Sequence, residues 1–136
     1  MASQPVVGKH QPTNRRQLLG RVAEQLAADY LLAHGYQIVA RNYRCEYGEL
    51  DIIALDPSAE LVFVEVRSQR SAAAADPEAA LSRAKQVHLR QSAECYLLAQ
   101  ATAPAAWRID LLVVAFAADG KHPPELRHWQ AAIDDF

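Results

Sequence analysis

Residues 48–67 read as two apolar strands that carry charges where a buried strand holds them least easily. The runs are Gly48-Glu49-Leu50-Asp51-Ile52-Ile53 and Phe63-Val64-Glu65-Val66-Arg67, rich in the β-branched and aromatic residues that favour strands. Between them, Asp56-Pro57-Ser58-Ala59-Glu60 is polar and places Pro in a turn-forming position. The pattern predicts a hairpin centred near Ser58. Symmetric pairing about Ser58 sets Leu55 opposite Leu61, Ile53 opposite Phe63 and Asp51 opposite Glu65, all on one face because side chains alternate along a strand. Glu49 and Arg67 extend that face by one rung. Leu50, Ile52, Val62, Val64 and Val66 form the other face and read as core. A slip of one residue would separate the two carboxylates.

Directly opposed like charges destabilise a sheet, so Asp51 and Glu65 need either a cation or bases. A divalent cation removes the repulsion, and a pair of hard oxygen ligands suits Mg²⁺ or Mn²⁺. Such an ion can polarise a phosphoryl oxygen and activate water. The other reading neutralises the pair through Arg67, Arg108 or another base as ion pairs.

The 136 residues fit one domain, expected over 15–136 behind a flexible lead-in at 1–14. A net charge of −2 excludes a broadly basic coat for nucleic acid but leaves room for a local basic surface. Arg15, Arg16 and Arg21 cluster at the start of the first predicted helix, and Arg67, Arg70, Arg83, Lys85 and Arg90 follow the second carboxylate. They read either as a solvated surface or as a rim that contacts phosphates. No apolar run approaches the ~20 residues of a membrane span, and the polar N-terminus has no signal-peptide core. Cys45 and Cys95 lack metal-type spacing and are expected as free thiols in a reducing cytoplasm.

Asn14 is a good cap for a helix running to about His34, with Gly35 just past its end. Leu19, Val22, Ala23, Leu26, Tyr30 and Ala33 recur at helical spacing as the expected buried stripe, and Glu24 sits at its flank. There it is either an ordinary exposed helix residue or a reach into a neighbouring site. A first strand is expected over Tyr36–Tyr43, with Ile38 and Ala40 on one side, and a turn over 44–48 at Gly48. Ser68–Ala75 reads as a loop. Asp76-Pro77-Glu78 signals the start of a second helix to about Leu98. Arg108–Phe116 is a strongly apolar strand, Leu126–Gln130 a short last one, and 131–136 remain unassigned. The order is αβββαβ plus a weak final strand. The second helix is long enough for a crossover, so the α/β fold should hold a mixed sheet flanked by helices.

This order, with an acid in the first helix, Asp on the second strand and an acid-x-base unit on the third, resembles the PD-(D/E)XK nuclease superfamily of restriction endonucleases and Holliday junction resolvases. More closely the chain resembles the bacterial YraN family, described as endonuclease-like. The matching stretches are Gly20-x3-Glu24-x2-Ala27, Leu31-x3-Gly35-Tyr36, Arg41-Asn42, Gly48–Ala54, Phe63–Val66, Lys85 and Arg108-Ile109-Asp110, spanning about residues 15–116. The resemblance implies a restriction-endonuclease-like core and a metal-dependent nuclease. Glu24, Asp51 and Glu65 would surround one or two Mg²⁺ or Mn²⁺ ions, with Arg67 and Lys85 as the positively charged catalytic residues of the site. Glu49 and Asp110 are secondary candidates, although Asp110 shares a face with Arg108 and the two could simply pair. Nucleic acid, DNA before RNA, is the implied partner. Many superfamily nucleases act as dimers, but no interface is readable in this chain.

Arg67 departs from the superfamily pattern, which has lysine there. Arginine holds charge and phosphate but does not lose a proton at workable pH. One alternative is that Lys85 supplies the missing amine from the second helix. Otherwise the chain binds nucleic acid through a degenerate site, or serves as an interaction scaffold on the same fold. His88, one turn from Lys85, reads as a surface histidine or as lining the same groove. Tyr43 and Tyr47 serve as packing or as stacking platforms. The sequence has no Gly-rich phosphate loop and no Ser or Cys nucleophile setting.

Overall fold

A computed structural model describes residues 14–70 and 81–133. The order is α1 (Arg15–Ala33), β1 (Gln37–Cys45), β2 (Gly48–Leu55), β3 (Leu61–Arg70), α2 (Arg83–Leu98), β4 (Trp107–Phe116) and β5 (Glu125–Trp129). The five strands form one sheet in chain order. β3 and β4 run parallel and every other neighbouring pair is antiparallel. The mixed sheet follows from α2, whose crossover returns the chain in the same direction. This is the expected restriction-endonuclease-like core. Among the described residues, no helix is long and apolar enough to cross a membrane.

Each helix covers one face of the sheet. Against α1, Ala23, Ala27, Ala28 and Leu31 pack on Ile52, Ala54, Val62, Val64, Leu112 and Val114. Against α2, Leu89 and Ala93 pack on Leu50, Ile53, Phe63, Ile109, Leu111 and Val113. β4 is buried along almost its whole length because it lies between the two layers.

The helix caps follow the sequence signals in part. The Asn14 side chain accepts from Gln17 N–H, and Gly35 takes φ +86 beyond the C-cap His34. The buried stripe of α1 is Ala23, Ala27, Ala28 and Leu31, with Leu26 and Tyr30 packed beside it, so the expected stripe holds at Ala23, Leu26 and Tyr30 and fails at Val22 and Ala33. Val22 is exposed, as is Ala33. Small residues occupy the contact because α1 lies close against the sheet. Glu24 therefore stands on the sheet-facing side, three residues before Ala27. The Asp76-Pro77-Glu78 signal and the lead-in lie outside the described residues. Within them, α2 begins at Arg83, with the Ser82 hydroxyl accepting from Lys85 N–H. β3 extends to Arg70, so Ser68–Arg70 is strand where a loop was expected.

β1 corrects the simple alternation. A register shift between Ile38 and Ala40 turns Ile38 toward α1 and Ala40 toward α2, so the two do not share a side. Further on, Asn42 takes φ +52, a left-handed conformation that asparagine tolerates better than most residues. Arg41 and Asn42 then both reach α1, at Gln25 and Glu24. The β1–β2 hairpin closes with Cys45 opposite Gly48. Gly48 takes φ +139, which a side chain would strain.

The β2–β3 turn is held from inside. Asp56 Oδ1 accepts from Ser58 N–H, Ser58 Oγ and Glu60 N–H. Its Oδ2 receives Arg108 Nη1 at 2.7 Å. Arg108 also donates to Glu60, Asp110 and the Tyr36 hydroxyl. Asp110 is fully buried and accepts further from His128 Nε2 and Ala131 N–H. Burial alone would raise the Asp56 carboxyl, but the Arg108 and backbone donors outweigh it and hold Asp56 well below the usual carboxylate range.

Arg108→Ala should therefore destabilise the fold by about 3–5 kcal/mol, because it leaves buried carboxylates without their base. Urea denaturation at pH 7 measures this. A folded-state value below the unfolded 3.8 means that the Asp56 contribution is complete above that pH and fades as the pH falls beneath it. The gap between wild type and variant should shrink accordingly in acid, and a loss under 1 kcal/mol at pH 7 would contradict the assignment (~1 kcal/mol being a typical surface-pair value).

Candidate functional site

The sheet is forked. Pairing between β2 and β3 runs from Leu55–Leu61 to Ile52–Val64 and stops. Beyond that point β2 stays paired with β1 down to Gly48, while β3 stays paired with β4 out to Arg70. The register expected from sequence thus holds at the closed end. It sets Asp51 against Glu65 one step past the last paired residues. Two unlike ribbons diverge from that point.

Asp51 occupies the crotch. Its Oδ2 accepts the Val66 backbone N–H at 2.8 Å, satisfying a donor that the broken ladder would otherwise leave open. Burial, then the nearby Glu65 charge, push the Asp51 carboxyl up to about 8, and Glu24 contributes a further repulsion. The Val66 bond works the other way but does not compensate. A carboxyl in this setting is short of positive charge.

Glu65 is 4% exposed and faces α2. Its Oε2 lies 3.4 Å from Arg67 Nε and 3.6 Å from Lys85 Nζ. Arg67 comes from the same strand face two residues on, and Lys85 from the first turn of α2. Arg67 Nε is near Glu65 but is not aligned to donate to it, so this buried N–H has no acceptor. The buried Glu65 Oε1 meets no permanent donor either, although Asp51, when protonated, hydrogen-bonds to Glu65. Native interiors rarely leave such groups unmet.

Glu24 belongs to the margin. Its Oε1 accepts from Asn42 Nδ2 at 3.0 Å, and Asn42 lies across from Asp51 in the β1–β2 register. Among the described residues, no set of three or more potential metal-ligand side chains is gathered at one point. Asp51 and Glu65 are brought together, and Glu24 stands close enough to act on Asp51 electrostatically.

The secondary candidates part from the centre. Glu49 pairs with Arg44 across β1–β2 at 3.2 Å, and the Glu49–Arg67 rung does not form because the strands have separated. Asp110 is consumed by Arg108 and His128 on the α1 side. Arg108 likewise serves the closed end and does not neutralise Asp51 or Glu65. Leu50 packs toward α2 with Ile53, not toward α1 with Ile52. His88 lines a small recess with Lys85, Glu49 and Ser92, as its helical spacing allowed. Tyr43 packs edge-on to Tyr96, so it is a core residue, whereas Tyr47 is 41% exposed. The Cys45 thiol donates to Ser92 Oγ.

Asn42 enters the sequence reading only within the matching stretch Arg41-Asn42, with no role of its own. Its signal was available as an asparagine in the middle of a strand, a residue type depleted there and enriched at left-handed positions. The donor set fits a hard divalent cation: two oxygen-bearing side chains, one with an unmet buried oxygen and the other with its ionisation suppressed.

The model of the uncharacterised protein family UPF0102 matches residues 23–114, a span that includes Glu24, Asp51, Glu65, Arg67 and Lys85. A UPF0102 protein of Desulforamulus reducens is 41% identical over 120 residues, covering 88% of this chain and 98% of the relative. One from Herpetosiphon aurantiacus is 38% identical over 120 residues, 85% and 94% of the two chains. One from Trichlorobacter lovleyi is 35% identical over 130 residues, 96% and 97%. The forked α/β core and these alignments together make the chain a member of UPF0102, the YraN family.

Proposed function

We propose that the protein is a nuclease that hydrolyses phosphodiester bonds in nucleic acid, DNA before RNA, with Mg²⁺ or Mn²⁺ held by Asp51 and Glu65. One observation carries the reading. At the fork, a buried carboxylate oxygen lacks a permanent hydrogen-bond donor and a buried guanidinium N–H lacks an aligned acceptor, beside a carboxyl that burial keeps from ionising. A cation meets the first and the third, and a phosphoryl oxygen meets the second. When bound, such an ion supplies Lewis acidity toward a phosphoryl oxygen and toward water.

The side chains divide the remaining work. Asp51 and Glu65 present oxygen ligands, and Glu24, fixed by Asn42, adds negative charge at the margin. Arg67 keeps its proton and offers an N–H to a phosphoryl oxygen, holding the charge that develops there. Lys85 brings an ammonium to the same carboxylate from α2. It supplies the amine that Arg67 cannot, which favours turnover over binding alone.

In the metal-free protein, the Asp51 value is raised from 3.8 in the unfolded chain to about 8 in the fold. The folded state then binds more protons than the unfolded state between those values. The contribution is fully favourable below about pH 4 and is lost as pH rises through about 8. Asp51→Asn keeps an acceptor for Val66 N–H and removes the ionisation. It should stabilise the metal-free protein at pH 9 by a few kcal/mol, on the order expected for a suppressed carboxylate, and change little at pH 4. Paired denaturation curves check this, and a pH-independent difference would contradict the buried carboxyl.

Calorimetric Mn²⁺ titration tests the centre itself. Affinity should rise about tenfold per pH unit below about pH 8 and then level, because binding expels the Asp51 proton. Asp51→Asn should lose about 10²-fold or more in affinity. Lys85→Met should keep the metal and lower cleavage of branched, duplex or single-stranded substrates by about 10²-fold. A wild type that binds Mn²⁺ and nucleic acid but cuts none of these substrates is a binding module, and a wild type that binds no metal ends the nuclease reading.

A further inference from the structure

Both elements that frame the fork run well past the carboxylates. α1 begins nine residues before Glu24, about 14 Å along its axis. β3 continues five residues beyond Glu65, about 16 Å. Their far ends meet around a cavity of about 330 Å³ lined by Arg15, Arg16, Leu19, Ser68, Arg70 and Phe116. Arg70 ends β3 opposite Phe116, the last pair of the parallel β3–β4 ladder. Phe116 packs against the α1-side core.

The chemistry of this cavity is uneven. Its rim holds three exposed guanidinium groups. Among the described residues, none of the three forms an ion pair or hydrogen bond. Asp119, at the adjoining lip, is already engaged by Lys121 N–H and His122 Nδ1. Three like charges round one hollow repel each other and are relieved by an anion. Guanidinium planes match phosphate oxygens in pairs. Leu19 and Phe116 provide an apolar wall, which suits a sugar beside the phosphate better than a bare inorganic ion.

We propose that this cavity is a second phosphate site, which grips the sugar–phosphate backbone of the same nucleic-acid chain that lies at the fork. The separation of about 14–16 Å is roughly four to five nucleotide steps along a duplex strand. The placement of the cut bond rests on the nuclease reading, whereas backbone capture by the three arginines does not. The site makes affinity depend on chain length on one side of the fork, and it anchors the chain away from the acidic centre.

The test is metal-free binding of a labelled DNA duplex of about 20 base pairs, long enough to span both sites, to wild type and to the triple variant Arg15→Gln, Arg16→Gln, Arg70→Gln. The three side chains are exposed, so the variant should fold, and circular dichroism confirms it. Arg127→Gln on β5 controls for lost charge. The triple variant should bind about tenfold or more weakly near 0.1 M salt, with the slope of log affinity against log salt reduced by about 2–3. Arg127→Gln should lose at most about one unit of slope. Mn²⁺ affinity should be unchanged in the triple variant, which keeps this result separate from the fate of the metal centre. Equal affinity and slope in wild type and triple variant would overturn the proposal even if the protein cuts DNA. So would a wild type that binds no nucleic acid, or inorganic phosphate saturating the arginine NMR signals while duplex binding stays indifferent to the triple substitution.

Discussion

The hydrogen bond from Val66 N–H to the Asp51 carboxylate is the constraint on which the rest of the site depends. A sheet that stops pairing in mid-strand exposes backbone donors and acceptors, and buried ones are costly to leave open. Asp51 closes the ladder with a side chain in place of a backbone carbonyl. The same bond that terminates the pairing fixes the carboxyl inside the protein, next to Glu65. Termination of the sheet and creation of the acidic centre are therefore one event. Any side chain at 51 unable to accept from Val66 would disturb both.

The closed end has to resist that opening. Arg108 does so by tying the β2–β3 turn, through Asp56 and Glu60, to β4, through Asp110. Tyr36 joins from the segment after α1, and Asp110 passes the connection on to His128 and Ala131. The network is well satisfied and mostly sheltered, in contrast with the unmet atoms at Glu65 and Arg67. Polar side chains thus do opposite things at the two ends of β3. One set is complete and holds strands together, while the other is incomplete and has chemistry left to offer.

Much of this was legible in the sequence because it rests on local rules. The turn at Asp56–Glu60 has its own hydrogen-bonding residues, so the register about Ser58 followed, and with it the meeting of Asp51 and Glu65. The crossover helix implied the parallel step. The fork itself was not legible. Alternation assumes a continuous ladder, so Glu49 was placed against Arg67, and Leu50 beside Ile52. Both expectations fail beyond Asp51, where β2 parts from β3 and the β1–β2 ribbon slips half a step in phase. The α1 stripe departs from periodicity in part, for a related reason. Periodicity weights large apolar residues such as Val22, but close approach to the sheet selects alanines, and that shift of face is what brings Glu24 inward. Pairing of Arg108 with the closed end depended on contacts more than forty residues apart, which spacing does not encode.

The left-handed Asn42 carries a wider implication. Ala40 and Tyr43 both face α2, three residues apart, and so do their partners Ile53 and Leu50. An unbroken strand returns to the same side every second residue. The hairpin therefore contains a dislocation, a half-step fault in phase, and Asn42 and Asp51 are the residues at its core. As in a crystal, the fault opens positions that the perfect lattice lacks, here one from which Asn42 reaches Glu24 on α1 and one that seats the Asp51 carboxyl against β3. The imperfection lets a two-sided hydrophobic sheet carry a carboxyl group at its centre without surrendering either face.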